Sequence, residues 1–298
     1  MQKEYEYNGK AMGTDFSFSI VSDSEEVANT LAHISIEKIC SYESRFSRFL
    51  PQSELSVLNR EKDKIVSDTF FAVTNEAHKL FTSTRGIFNP LVQIERLGYT
   101  SDFNSLTETL LSEDEEYSID FSETRIDPHT NRITLLPGQK LDFGGFLKGY
   151  LATRLAREIK NRSALISGVI VNIGGDMHTE GLDENGNEFV FTIFNPKTGH
   201  DDMFGTLKNR SLATSGIYTR AWKRNGANVH HILDSGGTQN PDSDIISASV
   251  IHDDGGTAEA YAKVFIALGL TKAQSLFKDE DIKYLLITKA GDVMSNII

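Results

Sequence analysis

At 298 residues, 39% hydrophobic and 24% charged, the chain reads as a soluble, globular protein with a substantial core, built as one large domain or two small ones. Its formal charge of -12 argues against a nucleic-acid surface, which needs clustered Lys and Arg. The single cysteine, Cys40, excludes an internal disulfide framework and a cysteine-rich metal site, and no apolar run is long enough to span a membrane. The opening MQKEYEYNGK is charged and reaches Met12-Gly13-Thr14 without an apolar stretch. Neither a signal peptide nor a lipoprotein leader is therefore expected, which points to the cytoplasm.

Residues 14–21 alternate and predict a strand. Residues 25–46 carry Val27, Leu31, Ile34 and Ile39 at helical spacing and predict a long helix, with Cys40 expected in the core. Pro51 breaks the pattern, and Ser53 with Leu55 and Leu58 predicts a short capped helix. Residues 67–84 predict another helix, with Phe70, Val73, Ala77, Leu80 and Phe81 on one face. Residues 100–120, including EDEE at 113–116, read as an acidic surface excursion. RIDPHTNRITLLPG predicts a hairpin turning at residues 127–131. LDFGGFLKGYLATR (141–154) then runs from a short apolar segment through Gly144-Gly145 into a helix continuing towards Ile159. Strands follow at 168–173, 189–194 and 245–251, with turns at Gly174-Gly175-Asp176 and at Thr214-Ser215-Gly216. Residues 257–268 predict a helix capped by Thr257 and stopped by Gly269, and a terminal hairpin closes the chain. The fold class expected from this mixture is α+β.

Several motifs are absent: there is no GxGxxG, no GxxxxGK[ST], no GxSxG and no HExxH. The sequence offers instead a series of glycine turns beside polar residues, at 12–14, 86–90, 142–148, 172–176, 214–216 and 231–237, consistent with a backbone-lined cleft for a large polar ligand. At the turn in 141–154, adjacent glycines let the backbone approach a ligand and helix-start amides favour an anion. Lys148 adds a point charge suited to phosphate, and Asp142 could accept hydrogen bonds from a polar ring. The same residues also describe a glycine-permitted turn with solvated charges.

The order and wording of AMGT, FSRFLPQSELSVLN, GIFNPLV, LDFGGFLKGY, VNIGGDMHTEG, ATSG and HHILD resemble the ApbE-like FAD:protein FMN transferases, from Ala11 to about Gly269. The resemblance implies a mixed, largely antiparallel α+β fold related to T-folds, a two-lobed single unit spanning residues 1–298. It further implies FAD as substrate, Mg²⁺ at its pyrophosphate, transfer of FMN to a Ser or Thr hydroxyl of a target flavoprotein, and release of AMP. Carried over, it places Met12 beside the flavin, Phe49 where the family usually has Tyr, and Ile87, Phe88 and Asn89 along the FAD site. Asp142, Lys148 and Thr214 match FAD-binding positions, and Gly145 matches the position offering a carbonyl to the metal. His231, second of the pair in HHILD, matches the catalytic histidine and would act as general base on the acceptor hydroxyl. Without the resemblance, a histidine in such a segment is more often structural.

The family's C-terminal metal motif has the form ADALAT, whereas this chain has Ala258-Glu259-Ala260-Tyr261-Ala262-Lys263. Glu259 keeps an oxygen ligand, but Lys263 stands in place of Thr and cannot ligate while protonated. The pair also matches an ordinary i,i+4 helix-surface ion pair. Hydrolysis of FAD to FMN and AMP, and FAD binding without chemistry, are the alternative functions.

Overall fold

The charged opening of the chain is a strand. In the computed structural model, which describes residues 2–91, 94, 118–218, 221–224, 227–234, 236, 237, 239–280 and 282–297, β1 (Lys3–Ala11) pairs antiparallel with β2 (Thr14–Ser22). Met12 (φ 56°) and Gly13 (φ 67°) form a two-residue turn with both central residues left-handed, which matches the twist of the strands it joins. Residues 100–117, including the acidic run, lie outside the described residues.

Three helices follow close to the predicted bounds. Helix α1 (Glu25–Phe46) is capped by Ser24, α2 (Glu54–Glu61) by Ser53, and α3 (Asp68–Ser83) by Ser67, each hydroxyl accepting from a first-turn amide. The buried stripe of α1 runs through Ala28, Leu31, Ala32, Ser35, Ile39, Tyr42 and Phe46. Cys40 lies one residue off that stripe and is exposed, contrary to the core position expected of it. Ile34 is likewise 44% exposed. Strands β3 (Asp63–Ile65), β4 (Arg125–Asp127) and β5 (Arg132–Thr134) make a small sheet in the order β3-β5-β4.

Helix α4 (Leu147–Arg162) comes next, followed by β6 (Ile166–Ile173), β7 (Asp176–Gly181), the ribbon of β8 (Phe189–Asn195) with β9 (His200–Leu207), and β10 (Ser211–Gly216). A second ribbon pairs β11 (Ala221–Arg224) with β12 (Ala227–His230). The chain ends with β13 (Ile245–His252), α5 (Gly255–Leu268), α6 (Leu270–Leu276), β14 (Lys283–Thr288) and β15 (Val293–Ser295). Eight strands form the main sheet in the order β1-β2-β6-β7-β10-β13-β14-β15, each neighbouring pair antiparallel. The mixed, antiparallel α+β class expected from the sequence is the one observed.

Packing gives the sheet two different faces. Helix α1 lies against β1 and β2, α4 against β6 and β7, and α5 against β10 and β13, with α4 and α5 touching each other. Alternation along β6 turns Val169, Val171 and Ile173 towards these helices. On the opposite face Phe191, Ile193 and Leu207 of the β8–β9 ribbon cover Leu212, Ile251, Leu285 and Ile287. The turn expected at Thr214-Ser215-Gly216 is thus the end of a central strand, β10.

Helix α5 starts before the predicted position. Its cap is Asp254, whose Oδ1 accepts from the Thr257 amide at 3.0 Å, and Thr257 is the third helical residue. Asp254→Ala is expected to cost about 0.5–2 kcal/mol in urea unfolding, and Thr257→Ala less than about 0.5 kcal/mol. An equal or larger loss at Thr257 would return the cap to that residue.

Candidate functional site: a charge cluster between two helix starts

The short apolar segment that approaches α4 is a loop. Asn59 of α2 clamps it: its Nδ2 donates to the Leu141 carbonyl (2.8 Å) and its Oδ1 accepts from the Leu141 amide (2.7 Å). The Asp142 amide donates to the Pro90 carbonyl at 2.8 Å, so the segments 87–90 and 141–145 are tied together. Gly144 and Gly145 do not serve a left-handed turn here. A Cβ on Gly145 would stand 2.9 Å from the Phe88 ring, so this glycine lets that ring close over the loop, with Lys263 Cδ alongside.

Asp142 does not pair with Lys148. Its Oδ1 accepts from the Gly144 amide at 2.8 Å and its Oδ2 lies 3.4 Å from Arg48 Nε. The Arg48 guanidinium also stacks over the Phe49 ring at 4.5 Å. Two residues singled out in the sequence, Phe49 and Asp142, are therefore joined by Arg48, which the sequence reading passed over.

Helix α4 begins at Phe146 without a side-chain cap of its own. Its first-turn amides find a partner across the interface with α5: the Gly149 amide donates to Glu259 Oε2 at 3.1 Å. The helices come this close because Gly149 meets Gly255; a Cβ on Gly149 would lie 2.1 Å from the Gly255 carbonyl oxygen. Thr153 fixes the contact by accepting from the Gly255 amide at 2.8 Å. Behind it, His178 meets Ser211 Oγ at 2.6 Å and Glu180 Oε1 at 2.9 Å, a network sealed from solvent at both His178 and Ser211. That seal makes the Ser–His–Glu group a structural tie between α4, β7 and β10.

Four charges meet where α4, β7, β10 and α5 converge. Lys148 Nζ donates to Asp176 Oδ2 at 2.5 Å and to Glu259 Oε1 at 2.6 Å. Lys263 Nζ approaches the same Glu259 Oε1 at 3.2 Å and Ser215 Oγ at 3.3 Å. The carboxylate side chains are 3% and 1% exposed, whereas those of Lys148 and Lys263 are 16% and 20% exposed. The acids are thus sealed, and the exposed surface of the cluster belongs to the lysine side chains. Burial opposes the charge on Lys148, but Asp176 and Glu259 more than offset it and raise its pKa. Burial also opposes the charge on Glu259, yet Lys148 and Lys263 hold its pKa below the usual carboxylate range. Asp176 moves up, through burial and then the neighbouring Glu259. Lys263 moves down, through burial and, despite Glu259, the repulsion of Lys148.

These positions test the divalent cation implied at Gly145 and Glu259. Both oxygens of Glu259 are engaged, by Lys148, Lys263 and the Gly149 amide. Asp176 Oδ1 is buried without a hydrogen-bond partner, but one carboxylate oxygen beside two ammonium groups is a poor set for an ion that takes six oxygens. Among the described residues no group of three or more His, Cys, Asp or Glu could hold a metal ion. The residues present do not fit a resident dication. The reading of Glu259 and Lys263 as a solvated surface pair fails equally, since Glu259 is 1% exposed.

Other expected site residues are spread around this centre. Met12 donates its amide to Glu43 Oε1 at 2.7 Å. Ile87 packs half-buried against the core and Phe88 is buried edge-on to Phe146. The Asn89 side chain spans the loop, donating to the Ile119 carbonyl (2.7 Å) and accepting from the Leu91 amide (3.0 Å). Thr214 faces away from the charge cluster, on the same side of the sheet as Leu212, and its hydroxyl meets Ser249 Oγ at 2.8 Å. Its neighbour Ser215 is the residue that faces Lys263. Asp176 was read only as part of a turn; the motif VNIGGD was its signal. A concavity of about 650 Å³ beside Thr14, Asn172 and Gly174 holds only the exposed pair Lys10–Asp15 as charged lining, so we do not place the site there.

His230 is the last residue of β12, and His231 follows it, half-buried. Asn240 clamps the first, accepting from the His230 amide at 2.9 Å and donating to its carbonyl at 2.7 Å. Burial, then the positive charge of Lys289, lowers the His230 pKa from 6.5 to about 4. The unfolded chain therefore takes up this proton at higher pH than the folded chain, and stability contributed by neutral His230 is lost as pH falls from 6.5 to about 4. Urea midpoints measured across that window should fall, and His230→Asn should flatten the slope. An unchanged slope in the variant would assign the loss to other groups.

Comparison with known proteins places this geometry in a family. The ApbE family profile matches residues 12–286. The chain is 25% identical to an FAD:protein FMN transferase of Klebsiella pneumoniae, over 97% of this chain and 91% of that one. It is 22% identical to one of Vibrio cholerae, over 96% and 87%. Its fold matches an ApbE protein of Thermotoga maritima with a TM-score of 0.86 at 24% identity, covering 99% and 97% of the two chains. The apo flavinyl transferase ApbE of Pseudomonas stutzeri superposes with a TM-score of 0.83 at 18% identity, over 99% and 95%. The chain belongs to the ApbE family.

Proposed function

We propose that this chain is an FAD:protein FMN transferase: it binds FAD and joins the FMN half to a Ser or Thr hydroxyl of a target flavoprotein, with release of AMP. The observation that carries the reading is the pair of lysines, Lys148 and Lys263, whose side chains keep partial exposure over sealed carboxylates near the head of α4, in a chain similar over nearly its whole length to proteins named for that activity. Two fixed cations backed by sealed carboxylates suit a pyrophosphate, whose charge they meet without reorganising. Arg48, Phe49 and Asp142 offer a stacking surface and a carboxylate acceptor to one of the two ring systems of FAD. Met12, Ile87, Phe88, Asn89 and Thr214 remain candidate lining positions, the last through its backbone.

In the transfer, the acceptor hydroxyl oxygen attacks the flavin-side phosphorus. The bond from that phosphorus to the bridging oxygen breaks, AMP leaves with the oxygen, and the hydroxyl proton passes to His231. Asn240 holds His230 for structure, and His231, half-buried just after β12, is the base in this scheme.

The test is incubation with FAD and a flavoprotein acceptor, read as in-gel flavin fluorescence. Wild type should label the acceptor, and His231→Ala should lose roughly 10²–10⁴ in rate while keeping its FAD affinity. His230→Ala should lose less than His231→Ala. Free FMN and AMP without labelled protein would make the chain a pyrophosphatase, and FAD binding without either product would make it a binding protein.

A further inference from the structure

The carboxylates at the centre of the cluster are its least accessible atoms. A dication approaching Glu259 would first meet Lys263 Nζ, which already lies 3.2 Å from Oε1 and is the more exposed of the two side chains. Lys263 is also held in place. Its ammonium meets Ser215 Oγ at 3.3 Å and the Glu259 carbonyl at 3.4 Å, and its stem passes over Gly145. Two lysines and two carboxylates leave the cluster formally neutral, so no excess negative charge remains to attract a metal ion. The solvent-accessible surface of the cluster belongs to the Lys148 and Lys263 side chains, 16% and 20% exposed, so an incoming phosphate meets lysine before carboxylate.

We propose that Lys263 is a built-in cation that takes the place of a divalent metal, so that this chain binds the pyrophosphate of its flavin dinucleotide without one. The inference rests on the reading of the chain as an FAD-binding transferase and adds how that ligand's charge is met. Lys148 anchors the two buried acids, Ser215 and Glu259 aim Lys263, and the ammonium presents to the pyrophosphate the positive charge that a metal ion would otherwise supply. A lysine is a fixed charge that needs no metal from solution, at the expense of the direct coordination a dication gives to a phosphoryl oxygen.

The experiment is FAD binding, by flavin fluorescence or calorimetry, in EDTA and in millimolar Mg²⁺, on wild type and on Lys263→Gln. Wild type should bind FAD with the same affinity in both conditions. Lys263→Gln should bind at least about tenfold more weakly in EDTA, the loss of one charge-assisted hydrogen bond. Wild-type binding that collapses in EDTA and returns with Mg²⁺ would overturn the inference while leaving the transferase reading intact. Failure to bind FAD in either condition would overturn that reading, and the inference with it. An unchanged affinity in a folded Lys263→Gln, verified by its circular dichroism, would overturn the role of Lys263 alone. Should the variant not fold, the wild-type comparison decides.

Discussion

A carboxylate that is 1% exposed has to be paired in full, and the way Glu259 is paired organises the centre of this protein. One oxygen accepts from the amide of Gly149 and so caps a helix that has no cap of its own. The other is shared by Lys148 and Lys263, and through Lys148 it reaches Asp176 on β7. Helices α4 and α5 are brought within reach by a glycine-to-glycine contact that any side chain at position 149 would break. Helix packing, strand position and the arrangement of charge thus depend on one another.

The orientation of that cluster decides its chemistry. Were the acids outermost, the site would attract cations; with the lysines outermost, it presents positive charge on a chain whose overall charge is -12. Local arrangement overrides net charge because the groups lie within a few ångströms of one another, well inside the screening length of about 8–10 Å in physiological salt. The loop that leads to the cluster carries a second recognition element, Arg48 between Phe49 and Asp142, held in register by the Asn59 clamp on Leu141.

The sequence was most legible where burial is apolar. Helices α1, α2 and α3 have serine caps and continuous apolar stripes, and their bounds follow from those features. Legibility failed where the buried face is polar. Strand β7 turns Asp176, His178 and Glu180 towards the helices, and β10 turns Ser211 and Ser215 the same way; both read as turns or loops because hydrophobic alternation is missing. Strand β1 was hidden differently, as an edge strand whose charges alternate with tyrosines. The site residues named from family resemblance include Lys148, Glu259 and Lys263, which the structure gathers together, and Thr214, whose side chain it turns to the other face. Asp176 and Arg48 lie inside motifs quoted for the resemblance, VNIGGD and FSRFLPQ, but their roles emerge only from the fold, because their partners Lys148 and Asp142 are distant in sequence.

The central claim is that Lys148 and Glu259 act as one buried unit on which α4 and α5 depend. A double-mutant cycle in denaturant unfolding, with Lys148→Met, Glu259→Met and the double variant, tests it most directly. Each single change leaves an uncompensated buried charge and should cost about 3–5 kcal/mol. The double variant should cost less than the sum of the two by about 1–3 kcal/mol, because removing both partners leaves fewer charges stranded. Costs that add to within about 0.5 kcal/mol would show the two residues to be independent and would contradict the account.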